Sequence, residues 1–445
     1  MTSPPEALIL VGDCLERLRE IPDESIDAVI TDPPSSIAFM NLAWDKDKGG
    51  RENWVGWMTE ILSECLRVLR PGGHALVWSI PRRQHWTMLA VEDARFEIRD
   101  VILHIWGQGF PKSTNAAIMI DKHLGAMGHR GRAHHAYGPG NDFEGRDLSD
   151  PLSMPAHEGI TEEAQRFQGF GSALKPSYEG WILARKPLDG TIAKNCIEYG
   201  TGALNIDGCR VGTGRGGDRD GEKSKNRRYT ERGGTNFAPT PGPRGGDIAG
   251  RWPPHLLLSH GPDCGEMCAD GCPVAEMDAQ SGVSSSYKNR RSDMRENSGD
   301  SMFIDGRRDP SNSHSDTGGA SRFFPVFRYT PKPSTAEKSA GLDGRNLHPT
   351  AKPIALMRWM VRLVCPPARP DGSRPVVLDP FAGSGTTGVG AVSEGADFLG
   401  IEMDPKFASY ARDRICHAVA GLEVEVDGEV PERSSVEASG QRRLF

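Results

Sequence analysis

The sequence predicts an α/β protein built on an open, mostly parallel sheet, and three observations carry that expectation. Short β-branched runs alternate with amphipathic helical stretches at both ends of the chain, several of those runs stop at an acid, and one opens onto a glycine-rich turn that starts a helix. Strand, helix, strand at these lengths calls for a sheet covered on both faces.

In chain order, Ala7–Leu10 and Ile26–Thr31 are expected strands. Asn53–Arg70 repeats apolar residues at helical spacing behind a capping Asn53 and is expected to stop at Pro71–Gly73. His74–Ser79 then forms a strand, Gln84–Ala94 a helix and Phe96–Ile105 another strand. Residues 127–150, 212–250 and 282–320 are rich in Gly, Ser, Asp and Arg and poor in apolar residues, which predicts long loops. Firmer pieces, Gly171–Leu188, Gly250–His260 and Arg322–Pro333, each hold one strand. Order returns with a helix in Thr350–Cys365, strand, turn and helix across Pro375–Gly395, a strand ending in acids at Ala396–Asp404, and a helix over Asp404–Ala420. Residues 421–445 read as an unstructured acidic tail.

With 445 residues the chain exceeds a single ordinary core, yet only 37% are hydrophobic and 53 are glycine, so part of it packs no core. The net charge of −7 excludes a uniformly basic protein and directs attention to local charge. No run approaches a membrane span, and the N-terminus lacks the basic start and apolar stretch of a signal peptide, so a cytoplasmic protein without a membrane partner is expected. Nine cysteines in that compartment are expected to stay unpaired.

Asp379 ends a strand, and Gly383, Gly385 and Gly388 occupy the turn into the next helix. Bare backbone and a helix N-terminus suit a nucleotide-like ligand. Glu402, which ends the following strand, stands where a carboxylate takes a ribose hydroxyl pair. Thr386 and Thr387 follow Gly385 directly, with no lysine to grip phosphate, which disfavours a P-loop. The stretch "DPFAGSGTTG" resembles the S-adenosylmethionine-binding motif of DNA amino-methyltransferases, enzymes of restriction-modification or phage type.

A second motif lies near the start, where Asp32, Pro33 and Pro34 end a strand. An exocyclic base amine is a poor nucleophile because its lone pair is delocalised into the ring. An acceptor gripping its hydrogens favours a tetrahedral nitrogen aimed at an electrophile, and a carboxylate beside a carbonyl held by proline is such an acceptor. "DPP" resembles the Asp-Pro-Pro-aromatic motif of the same enzymes, whose aromatic stacks on the flipped base. Here Ser35 stands at the aromatic position, and Phe39 or Trp44 is the expected substitute.

"GDCLERL" (Gly12–Leu18) and "HPTAKP" (His348–Pro353) agree with the resemblance, which covers roughly residues 7–115, 170–210 and 320–420. Catalytic motif first and cofactor loop last is the β-group order. The resemblance implies a circularly permuted, Rossmann-like methyltransferase fold with long loop insertions, whose sheet has seven strands, one of them antiparallel. It implies that Asp13, Lys352, Asp379, Phe381, Gly383, Ser384, Gly385, Thr386, Thr387 and Glu402 hold S-adenosylmethionine. Asp32, Pro33, Pro34 and Ser35 form the catalytic segment. Residues 1–125 are then a catalytic half, 126–320 a target-recognition region, 321–420 a cofactor half and 421–445 a tail.

The expected activity is methylation of the adenine amine in double-stranded DNA, with the cytosine amine as the alternative and a silent DNA-binding relic of the fold as a reading from another class. A carbon-5 cytosine enzyme is excluded because no Pro-Cys pair occurs. RNA or protein-glutamine methylation, which uses Asn in the related motif, is disfavoured by Asp32. A homodimer stays open. His260, Cys264, Cys268 and Cys272 recur every four residues and make an acceptable tetrahedral set for structural zinc, although paired ligands usually stand closer in sequence and the glycines and prolines preclude one regular helix. His129, His134 and His135 are assigned no role.

Residues 210–251 carry ten Arg or Lys against five acids, among them Arg215, Arg219, Lys223, Lys225, Arg227, Arg228 and Arg232. A basic, glycine-rich chain suits phosphate contact, whose affinity comes largely from counterion release. Deleting Thr213–Asp247 is expected to weaken DNA binding and flatten its dependence on salt in an anisotropy titration; unchanged binding with the same salt slope refutes the role.

Overall fold

In the computed structural model, the N-terminal part alternates as β1 (Ala7–Val11), α1 (Cys14–Arg19), β2 (Ile26–Thr31), α2 (Arg51–Val68), β3 (Leu69–Ser79), α3 (Gln84–Asp93) and β4 (Glu97–Ile105). The middle contributes α4 (Ala116–His123), α5 (Glu162–Gln165), β5 (Tyr178–Arg185), α6 (Ile192–Glu198), β6 (Leu256–Ser259), α7 (Pro273–Ser281), and the short strands β7 (Ser284–Ser285), β8 (Thr317–Gly318) and β9 (Val326–Phe327). Strict alternation returns in α8 (Ile354–Val364), β10 (Val376–Asp379), α9 (Thr386–Ser393), β11 (Asp397–Glu402) and α10 (Pro405–Asp427). The structure describes residues 4–37, 45–46, 48–106, 113–126, 159–211, 251–261, 264, 267–285, 317–327, 339–342, 346, 348 and 351–427.

Two compact units result, residues 1–107 with 178–445, and residues 108–177. The larger holds a sheet in the order β1-β11-β10-β2-β3-β5-β4-β6-β9. Its pairings are parallel except those of β5, which runs antiparallel to both β3 and β4. The expected seven strands with one reversed are therefore joined by two more, because the apolar Leu256–Leu258 run and Val326 pair in register beyond β4 and cover its edge.

β2 is buried along its whole length, as a central parallel strand requires. Its side chains alternate. Val29 packs with Leu18, Met58, Ile61 and Leu62 of α1 and α2, while Ala28 and Ile30 pack with Met357, Met360 and Val361 of α8 and Val392 of α9. Helices thus cover both faces. In the smaller unit, the buried Asp121 of α4 accepts hydrogen bonds from the Ile160 and Thr161 amides and from the Thr161 hydroxyl, which ties α4 to the start of α5.

Three local expectations are corrected. α2 starts at Arg51 with Gly50 at its N-cap, at φ +100; Asn53 lies inside the helix and its amide donates to Gly49 O (3.4 Å) rather than capping. Pro71–Gly73 does not separate helix from strand, since α2 ends at Val68 and β3 begins at Leu69. The register passes from Ile26↔Leu69 to Ala28↔His74, so the Pro-Gly-Gly sits in a bulge of β3, with Gly72 at φ +75. α10 reaches Asp427, so the first residues of the expected tail are helical. Among the described residues no helix is long and apolar enough to cross a membrane.

Gly385 and Gly395 bracket α9 with similar left-handed φ values, +77 and +79. A Cβ on Gly385 would stand 2.7 Å from the Ala411 Cα in α10, whereas at Gly395 nothing lies within 4 Å. Alanine at either position costs about 1–2 kcal/mol for the backbone conformation, and at Gly385 the overlap with α10 adds at least about 1 kcal/mol more. Urea unfolding of Gly385→Ala and Gly395→Ala checks this ordering.

Candidate active site

From β10 the chain continues through α9 to β11 on one side, whereas from β2 it continues through α2 to β3 on the other. The crevice beyond the carboxyl ends of β10 and β2 is therefore a topological switch point, where open α/β sheets bind ligands. Gly12 and Asp13 follow β1, Asp32 follows β2, and Asp379 and Glu402 end β10 and β11; all line one cavity of about 520 Å³.

Asp379 ties the crevice together. Its Oδ1 accepts from the Thr31 hydroxyl (2.8 Å) and the Phe381 amide (3.0 Å), and its Oδ2 accepts from the Thr387 hydroxyl (2.6 Å). It is buried, and burial raises its carboxyl to about 6 against these stabilising hydrogen bonds. Glu402 accepts from the Gly383 amide (2.8 Å) through Oε2 and from the Asp404 amide (2.9 Å) through Oε1, which orients the carboxylate at the cavity wall. Burial also raises its pKa, with the two amides opposing. Gly383 has φ +54, and a Cβ there would stand 3.0 Å from His348 Nε2, so the close approach of turn and His348 requires glycine.

Asp32 is paired. Its Oδ2 accepts from Lys352 Nζ at 2.6 Å, and that ammonium lies 4.1 Å from the centre of the Trp78 ring and 3.9 Å from Glu179. Burial pushes Asp32 upward while Lys352 pulls it back. For Lys352, burial is outweighed by the Asp32 and Glu179 carboxylates, and the ammonium is held. The Trp54 indole donates to Pro34 O (3.1 Å) and Arg83 donates to Ser35 O (3.1 Å), so the segment after Asp32 is anchored through its carbonyls. Asp45, buried, accepts from the Ser36 and Ile37 amides at 2.6 and 3.1 Å and holds Ser36 at φ +55.

A family model described as DNA methylase matches residues 26–121 and 274–413, just over half of the chain. The chain belongs to this DNA methylase family. Curated relatives are similar over shorter stretches. The type II methyltransferase M.BamHI of Bacillus amyloliquefaciens is 35% identical over 71 residues, 16% of this chain and 17% of that protein. M.BglII of Bacillus subtilis is 40% identical over 70 residues, 16% and 18% of the two chains. The DNA adenine methyltransferase YhdJ of Escherichia coli (strain K12) is 31% identical over 123 residues, 27% and 37%. The matched stretches thus span well under half of these relatives. Among solved structures, the cytosine-N4-specific PvuII DNA methyltransferase aligns with a TM-score of 0.42 at 13% identity, over 96% of this chain and 95% of that one.

Within this family member, Asp13, Asp32, Pro34, Lys352, Asp379, Phe381, Gly383, Ser384, Thr386, Thr387 and Glu402 share the cavity. Gly385 instead packs against α10. Lys352, expected among the cofactor contacts, is the ion-pair partner of Asp32. Asp13 is committed in part to capping α1, where Oδ1 accepts from Leu15 and Glu16 amides. Pro33 and Ser35 of the expected catalytic segment do not line the cavity. Phe39 and Trp44, the seven basic residues Arg215, Arg219, Lys223, Lys225, Arg227, Arg228 and Arg232, and His129, His134 and His135 lie outside the described residues. His260, Cys264, Cys268 and Cys272 gather beside β6 and α7 and are not part of the cavity wall.

Sequence reasoning missed Trp57, His348 and Phe407 as cavity residues. Trp57 lies 5.9 Å from Phe381 with the Lys48 ammonium 4.1 Å over its ring, and Phe407 packs edge-on against His348 at 4.7 Å. Trp57 was readable only as one apolar position of a helix, because nothing in its spacing separates a cavity aromatic from a core one. Cys14, also on the wall, has its thiol raised to about 12 by burial and by Asp13, so it stays protonated and is no nucleophile at neutral pH.

The raised carboxyl of Asp379 sets a pH prediction. The folded protein holds this proton more tightly than the unfolded chain, from an ordinary 3.8 to about 6, so the stabilisation is present in full below 3.8 and is lost as pH rises through 6. Asp32 and Glu402, raised in the same direction, add the same sign. Urea unfolding of Asp379→Asn between pH 4 and 7 is expected to show a shallower decline than wild type, with lower stability throughout because the amide cannot accept from both threonines.

Proposed function

We propose that this chain methylates the exocyclic amine of adenine in double-stranded DNA, with S-adenosylmethionine as the donor. The observation that carries the reading is that Asp32 and the Gly383 turn open onto one cavity at the switch point of the sheet.

The cavity's donor set suits the cofactor. Asp13, Asp32, Asp379, Glu402 and Asp404 outnumber Lys48 and Lys352 on its wall, an acid-rich setting for a sulfonium and an α-ammonium. Glu402 is the candidate for the ribose diol, since a carboxylate that already accepts two amides retains acceptor capacity. The Gly383–Thr386 turn, at the N-terminus of α9, suits the cofactor carboxylate, and Phe381, Ile401 and Phe407 supply apolar walls for the adenine. When bound, the cofactor supplies an electrophilic methyl on a sulfonium.

The remaining chemistry belongs to the chain. A carbonyl of the Pro33–Pro34 pair joins Asp32 in gripping the two amine hydrogens; Pro34 lines the cavity, and its carbonyl, which already accepts from the Trp54 indole, carries a second lone pair. The Lys352 ammonium pairs with Asp32, opposes the effect of burial on its carboxyl, and shares that carboxyl with the incoming amine. As the nitrogen gains its bond to carbon it sheds one proton, for which Asp32 is the acceptor. With Ser35 off the cavity wall, Trp57 is the candidate face for a flipped base. The basic segment 210–251 supplies phosphate contacts. Asp32 and the similarity to YhdJ, by its name an adenine methyltransferase, favour adenine over cytosine.

Methyl incorporation into DNA by wild type and Asp32→Ala, with cofactor binding followed by calorimetry, tests the reading. The variant is expected to lose transfer by at least about 10³-fold and to keep its cofactor affinity. Wild-type-like transfer by the variant ends the assignment. Digestion of methylated DNA to nucleosides is expected to give N6-methyladenine; N4-methylcytosine moves the substrate to the rival base, and no methylated product identifies a silent relic.

A further inference from the structure

The tetrad predicted from its four-residue spacing closes in space. β6 ends at Ser259 and delivers His260, whose amide continues the sheet by donating to Phe327 O (2.9 Å); Cys272 forms the N-cap of α7, ahead of Pro273. The ligand atoms of His260, Cys264, Cys268 and Cys272 all lie within 4.8 Å of one another. Cys268 Sγ and Cys272 Sγ stand 3.4 and 3.5 Å from the same nitrogen, His260 Nδ1. With Zn–S near 2.3 Å and Zn–N near 2.0–2.1 Å, a regular tetrahedron has an S···N edge of about 3.6 Å. The Ala269 amide donates to Cys264 Sγ (3.3 Å), the kind of contact that supports thiolate charge. All nine cysteines of the chain are free, so no disulfide competes for these three.

The packing around the tetrad gives the site a purpose. Among the described residues the satellite core here has three buried members, Leu258, Cys272 and Val274, with seven partly buried hydrophobic residues packed against them, and Val274 is the sole buried side chain within α7. β6 and β9 are strands of four and two residues. A metal cross-link adds most where the apolar cluster joining a strand end to a helix is this small.

We propose that His260, Cys264, Cys268 and Cys272 bind one structural Zn²⁺ that cross-links the end of β6 to the start of α7. Four protein donors fill the coordination sphere and leave no open position, which makes the ion structural rather than catalytic, and three thiolates with one imidazole select zinc over oxygen-loving cations. The site stands apart from the cavity and does not depend on the proposed methyl transfer.

The full-length protein, purified from zinc-supplemented cells and dialysed against metal-free buffer, is expected to carry about one zinc per chain by plasma mass spectrometry. Cys264→Ser and Cys268→Ser are each expected to lose most of it, while Cys416→Ser, at an exposed cysteine outside the tetrad, keeps it. Thiol labelling of native wild type keeps the proposal testable if those variants fail to fold. Cys268 is exposed, yet it should resist a maleimide until a chelator strips the metal, whereas exposed Cys196 and Cys416 react at once. Cobalt loading should give the intense visible bands of a tetrahedral thiolate complex. A folded, zinc-free protein whose Cys268 labels as fast as Cys196, or a disulfide among the three cysteines, overturns the proposal.

Discussion

The hydrogen bonds that Asp379 accepts from Thr31 and Thr387 are what the rest of the site depends on. Thr31 is the last residue of β2 and Thr387 lies in the first turn of α9, so one buried carboxylate joins the strand that presents Asp32 to the helix that follows the glycine turn. Its charge is costly at that depth and is offset by three donors, which also means that its position is tightly determined. Asp32 and Gly383 sit one and four residues from these anchors, so their relative placement inherits that precision.

Around this brace, each carboxylate on the cavity wall has a protein partner that orients it. Glu402 is held by two amides, Asp13 by the first turn of α1, and Asp32 by Lys352. Pre-oriented groups need little rearrangement when a ligand arrives, which is how a site gains electrostatic effect without paying for it at the moment of reaction. The loop after Asp32 follows the same logic: Trp54 of α2, Arg83 just before α3 and Asp45 further along the loop itself hold its carbonyls and amides.

The family membership, the switch-point cavity and the proposed zinc cross-link describe three layers of one design. The sheet from β1 to β4 bears the cavity, and β6 and β9 extend it towards a region with a small apolar cluster of its own. A metal there would add a cross-link between short strands and a short helix whose shared apolar cluster is small. The basic stretch between Val211 and Arg251 leaves from and returns to a paired bridge, so its two ends are fixed side by side.

Much of this was legible from sequence because it depends on local periodicity. Alternating apolar runs identified β1, β2, β4, β10 and β11, and the DPP and glycine motifs located both halves of the site, since a carboxylate at a strand end and glycines before a helix are short-range features. Helix boundaries and the bulge in β3 were misread because Gly50 and the Pro-Gly-Gly act through φ angles that only the folded context selects. Lys352 stands on the cavity wall as expected of a cofactor contact, whereas its pairing with Asp32 spans 320 residues, beyond any spacing rule. Trp57 and Phe407 are apolar helix positions in one dimension and cavity walls in three. Residue order by itself determined which chemistry the chain carries; which groups face one another was decided by the sheet order, because the hydrogen-bonded neighbours β10 and β2, and β11 and β1, bring the two ends of the chain to one crevice.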